Sequence, residues 1–120
     1  MGEHLRDGVR VSVSGVPGWI GFIDLDAGVL IRRVHGTVQA PRALPAETLR
    51  AVRDGLEQLH PLGDRRVRVS QFMEGEVGFE LTLGGATVTQ SFVGDGRPLN
   101  LPMELLFEVA CGRFDGARDG

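Results

Sequence analysis

The sequence predicts an α+β domain: an antiparallel β-sheet of about four to six strands with two helices packed on one face, in a ββαββα-like order. Three observations carry this expectation. Val9, Val11 and Val13 alternate with Arg10, Ser12 and Ser14, the period of a strand with one buried face. Phe79, Leu81 and Leu83 alternate with Glu80 and Thr82 up to Gly84-Gly85, and Ala86 to Phe92 alternate again beyond it, which is a hairpin signal. Two stretches instead keep the 3-and-4 spacing of an amphipathic helix: Leu49, Val52, Leu56 and Leu59, then Leu101, Leu105 and Val109.

Along the chain, Gly15-Val16-Pro17-Gly18 follows the first strand, and Pro then Gly suits the centre of a type II turn. Trp19 to Leu25 is almost wholly apolar and reads as a second strand. Asp26-Ala27-Gly28 reads as a tight turn, Val29 to Gln39 as a longer strand bent at Gly36, and Pro41-Arg42-Ala43 as a linker. A helix starts near Pro45, where a missing N–H costs nothing, and stops around His60-Pro61-Leu62-Gly63. Val67 to Met73 reads as a strand, interrupted by Glu74-Gly75-Glu76. The two-residue turn then pairs Leu83 with Ala86, Leu81 with Val88, Phe79 with Gln90 and Val77 with Phe92, leaving Gln90 as the one polar member, expected at the sheet margin. Gly94-Asp95-Gly96 reads as a loop, and the final helix starts near Pro102, its stripe widened by Leu106 and Phe107. Leu44-Pro45-x-Glu47 and Leu101-Pro102-x-Glu104 recur in register, which fits either a duplication or a generic helix start. The whole of 1–120 is expected to be one domain with frayed ends at 1–8 and 115–120.

Composition narrows the function classes. The chain has 120 residues, 42% hydrophobic and 24% charged, with a net charge of −3. It lacks the concentrated basic face of a nucleic-acid-binding module, and no apolar run approaches a membrane span. The polar start and the single cysteine, Cys111, lead us to expect a cytoplasmic protein without disulfides. All 13 basic residues are arginine and tyrosine is absent, which removes lysine Schiff-base and tyrosine acid chemistry.

The sequence holds no recognisable catalytic set. His4, His35 and His60 stand apart, no paired-cysteine or His-Glu-x-x-His motif occurs, and no Gly-x-Ser-x-Gly or phosphate-binding glycine loop is present. Asp24-Leu25-Asp26-Ala27-Gly28 superficially matches a calcium loop, but position 12 would be His35 where a glutamate is required. The expectation is therefore a non-enzyme without metal or cofactor. The most suggestive segment is Trp19-Ile20-Gly21-Phe22-Ile23, which holds the sole tryptophan. With both faces covered it is a central strand; with one face open, Trp19 or the Ile20/Phe22 side is an aromatic anchor for a partner.

The order of segments resembles emfourin, a family of small bacterial inhibitors of thermolysin-like metallopeptidases such as protealysin. The matching features are a strand running into Ser14-Gly15, then Ile31-Arg32-Arg33-Val34-His35-Gly36-Thr37-Val38, the Leu44-Pro45-led helix, Phe79-Glu80-Leu81-Thr82-Leu83-Gly84-Gly85, and the Leu101-Pro102-led helix. The family's Ser-Gly-Gly-type turn is replaced here by Ser14-Gly15-Val16-Pro17-Gly18 and an extra segment, Trp19 to Ala27. The resemblance implies a stoichiometric protein binder that acts by loop occlusion, without chemistry of its own. The expected contact residues are Val16, Pro17, Gly18, Trp19, Ile20 and Phe22, with another protein as the partner. The alternatives are a structural or assembly subunit, an immunity-type partner of a larger complex, or a small enzyme or ligand-binding domain.

Overall fold

The computed structural model describes residues 6–68, 75–94 and 101–112, with the side chains of 67, 68, 75, 92–94 and 101 outside the description. The strands are β1 (Gly8–Val13), β2 (Trp19–Asp24), β3 (Val29–Val34), β4 (Thr37–Val38), β5 (Arg42–Ala43), β6 (Arg65–Arg68), β7 (Gly75–Leu83) and β8 (Ala86–Gly94). The helices are α1 (Ala46–Leu59), closed by a short 3-10 turn at His60–Leu62, and α2 (Leu101–Ala110). The class is α+β, as the two periodicities require. One sheet runs β4-β3-β2-β1-β7-β8-β6, with β5 also pairing to β3.

Eight strands exceed the expected four to six because two short pairings, β4 and β5 with β3, fall where the sequence pattern shows a bent strand and a linker. Val29 to Gln39 is a hairpin and not one bent strand: His35 and Gly36 take left-handed φ values of 51° and 81°, and Val34 faces Thr37 across the turn. Pro41-Arg42-Ala43 is no simple linker, since Arg42 and Ala43 add to β3 opposite Leu30 and Val29. The sheet is also mixed. β6 lies parallel to β8, with Arg65 facing Gln90, although every other pairing is antiparallel. The two halves are thus wired differently: β1, β2 and β3 are sequential neighbours, whereas β8 separates β6 from β7. This wiring does not repeat the first half and gives no support to a duplication.

The β7–β8 hairpin pairs as expected in all four positions, Leu83↔Ala86, Leu81↔Val88, Phe79↔Gln90 and Val77↔Phe92. Gly84 and Gly85 both have positive φ, 63° and 85°, which is what a tight turn matching the right-handed sheet twist needs. Gly75 and Glu76, expected to lie in the break after the Val67 strand, are the first two residues of β7. The strand expected from Val67 is seen from Arg65 to Arg68; its continuation to Met73, the loop beyond Gly94 and the expected frayed end at 115–120 fall outside the described residues. At the other end, residues 6–8 are tied down. Asp7 accepts from Gly84 N–H at 3.0 Å and meets Arg53 at 3.4 Å, and Arg6 pairs with Asp24 at 3.2 Å.

Both helices cover one face. The core joins Val9 and Val11, Ile23, Leu30, Phe79 and Leu81 from the sheet to Val52, Leu56 and Leu59 of α1 and Met103, Leu106, Val109 and Ala110 of α2. The α1 stripe is the expected one, with Leu49 at its margin. The α2 stripe is rotated from expectation: Met103, Leu106, Val109 and Ala110 are buried, while Leu105 is only partly so. Apolar residues fill every position of α2 except Glu104 and Glu108, so the sequence pattern is nearly isotropic, and the contact with α1 selects the side.

Gln90 is not marginal but fully buried. Its amide donates to the Leu59 and Gly63 carbonyls at 2.8 and 3.0 Å. Leu59 ends α1 and Gly63 ends the 3-10 turn after it, so the Gln90 amide nitrogen caps carbonyls where the helical ladder runs out, while its Oε1 is buried without a hydrogen-bond partner among the described residues.

Two glycines lie where elements meet, and only one of them is required there. A Cβ on Gly21 would strike the Ala110 carbonyl, so β2 and the end of α2 approach at a distance only glycine permits. A Cβ on Gly55 would meet Pro102 at 3.4 Å, ordinary contact. Gly21→Ala should therefore destabilise the fold by about 1–3 kcal/mol. Gly55→Ala should stabilise it by up to about 1 kcal/mol through helix propensity. Urea midpoints of the two variants check this opposition of sign.

Candidate functional site

With both helices on one side, the other face of the sheet carries no helix among the described residues. Strand register shows what lies on it. Ile31 of β3 faces Phe22 of β2, Phe22 faces Arg10 of β1, Arg10 faces Glu80 of β7, and Glu80 faces Thr89 of β8. These five residues form one row across five strands, opposite in pleat to the buried Val9, Val11 and Leu81.

Simple alternation along β2 would put Trp19 on the buried side, with Gly21 and Ile23. The observed register does otherwise. Val11 faces Gly21 but Ser12 faces Trp19, so Ile20 is an extra residue on β2. Such a bulge shifts the pleat by one position. Ile20 turns inward and packs on the core cluster, and Trp19 turns outward beside Phe22. The sequence expectation that grouped Ile20 with Phe22 is corrected by this one inserted residue.

Arginine stacking holds the aromatic pair. The Arg10 guanidinium lies 5.3 Å from the Phe22 ring centre and 5.8 Å from that of Trp19, and its other contact is Glu80 at 3.6 Å. Arg33, on the same face of β3, lies 5.8 Å from the Trp19 ring centre. Each cation–π contact is worth about 0.5–1 kcal/mol at a partly exposed site. Arg33 also leans on Gly18, where an added Cβ would collide with its guanidinium.

Beside this patch stands the 14–18 turn. Val16 N–H donates to the Val13 carbonyl at 3.3 Å, so the hydrogen-bonded turn is centred on Ser14-Gly15, three residues before the Pro17-Gly18 pair, which forms a bend. Ser14 fastens the turn to β7: its N–H donates to Glu76 O at 2.9 Å, and its Oγ accepts from Glu76 N–H at 3.0 Å. Val16 is 45% exposed. Of the six expected contact residues, the structure thus brings five together, with Val16, Pro17 and Gly18 exposed in the turn and Trp19 and Phe22 half-buried on the open face, and turns Ile20 away. Arg10 and Arg33 were missed. Arg10 was legible as the polar partner of the Val9/Val11 alternation, but its neighbour across the strand pair was not.

Other clusters have structural roles. Asp24 accepts from Ala27 N–H at 3.0 Å and closes the β2–β3 turn, as a turn-forming aspartate does. His60 Nε2 lies 3.0 Å from the Ala86 carbonyl, to which it donates. Among the described residues no three His, Cys, Asp or Glu side chains stand together to hold a metal ion, and no helix is long and apolar enough to cross a membrane. No protein-family model matches the chain, and neither a curated protein nor a solved structure is significantly similar to it.

Farther along the open face, Arg66 Nε donates to Glu76 at 3.1 Å. Hydrogen bonds from Arg66 and then Ser91 hold the Glu76 carboxyl below its usual pKa of 4.5. A lowered carboxylate pKa adds stability above the unfolded-state value, and that stability disappears as pH falls through the folded-state value. Glu76→Gln should therefore lower the urea midpoint at about pH 7 and leave it nearly unchanged at about pH 3.

Proposed function

We propose that this chain is a non-catalytic protein-binding domain whose contact surface is the open sheet face around Trp19 together with the 14–18 turn. The observation that carries the reading is the arginine-flanked Trp19, turned out of the core by the Ile20 bulge and set beside an exposed, pinned turn. Tryptophan and arginine are the side chains that most often dominate protein interfaces. A turn already fastened at Ser14 loses little freedom on binding. The groups on this face are rings, guanidiniums and paired carboxylates, which suit contact better than bond-making.

The finer reading is stoichiometric inhibition of a thermolysin-like metallopeptidase in a cytoplasmic setting, as the emfourin resemblance suggests. Val16-Pro17-Gly18 would enter the cleft and Trp19 would pack on its rim, so inhibition would come from occlusion. The breadth of the open face, five strands, favours as a second reading a subunit or immunity-type partner of a larger assembly.

Purified protein should inhibit hydrolysis of a peptide substrate by a thermolysin-like peptidase at near one-to-one stoichiometry. Trp19→Ala should weaken that inhibition by about 2 kcal/mol, roughly thirtyfold. No inhibition across several such peptidases would remove the finer reading. Full inhibition by the Trp19→Ala variant would remove the face.

A further inference from the structure

We propose that the Trp19 face takes an acidic protein segment and seats one of its carboxylates on the Arg33 guanidinium, an inference that rests on the protein-binding reading above. Three described arginines mark the outer face. Arg10 is paired with Glu80 and Arg66 with Glu76. Arg33 has no carboxylate partner among the described residues, although the chain has 16 acidic residues to 13 basic ones.

Arg33 is nevertheless packed on two sides. It is half-buried, stacked toward Trp19 and backed by Gly18. A guanidinium fixed on an aromatic ring keeps its N–H fork directed along its edges, which is the geometry that receives a carboxylate through two parallel hydrogen bonds. The ordering such a bond demands is largely complete before a partner arrives. Around it, Trp19, Phe22, Ile31 and the exposed Val16 offer apolar surface, so an apolar side chain next to the acidic one completes the fit.

Charge separates this partner from a nucleic acid. The protein is net negative, −3, and a phosphate backbone would meet repulsion over most of the molecule while finding two cations on this patch. An isolated carboxylate on a protein segment meets only the local positive spot.

Trp19 is the sole tryptophan and tyrosine is absent, so tryptophan fluorescence of the full chain reports this face alone. The probes are a capped Gly-Leu-Glu-Leu-Gly peptide, its Gln counterpart and a short oligothymidylate, each titrated to millimolar concentration. The Glu peptide should shift the Trp19 emission saturably, and the Gln peptide should bind about five- to tenfold more weakly. Arg33→Gln should erase that difference, and Arg33→Lys, which keeps the charge without the fork, should restore part of it; thermal midpoints matching wild type show that both variants fold. Equal responses to the two peptides would overturn the carboxylate seat while leaving a protein-binding face. A response to neither peptide would overturn both readings, and a response to oligothymidylate alone would replace the protein segment with single-stranded nucleic acid.

Discussion

One-sided burial governs this fold. Val9, Val11, Ile23, Phe79 and Leu81 all point to the same side of the sheet, and two helices close over them. A sheet in that position has a dry face and a wet one, and each residue's role follows from which face its pleat selects. Leu56 and Leu106 are core because they meet the dry face; Arg10, Phe22 and Glu80 are surface because they meet the other. Gln90 is the polar exception: it points into the core, its amide nitrogen donates to the Leu59 and Gly63 carbonyls, and its Oε1 is buried without a hydrogen-bond partner among the described residues.

Against that background, a single inserted residue changes the surface. Regular pairing along β1 and β2 would sink Trp19 beneath α2. Instead Ile20 takes the inward position, close to where Gly21 lets the Ala110 carbonyl approach, and Trp19 moves to the wet face. The bulge joins an indole, a phenyl ring and two guanidiniums from three strands into one patch. A bulge next to a contact surface is a usual way for a strand to redirect one side chain while keeping its pairing.

The division between what was legible and what was not runs along the range of the interactions. Alternation and 3-and-4 spacing in the sequence alone determined the α+β class, the β7–β8 register with its Gly84-Gly85 turn, and the α1 stripe. These are set by near neighbours, whose geometry the backbone fixes locally. Tertiary structure decided the rest: β6 parallel to β8, the rotation of α2, the burial of Gln90, the addition of Arg42-Ala43 to β3, and the outward turn of Trp19. Each depends on which distant strand or helix comes alongside. A period-two pattern specifies that a strand has two faces, but only the partner strand shows where one residue is skipped, and that skip places the tryptophan on the open face and not in the core.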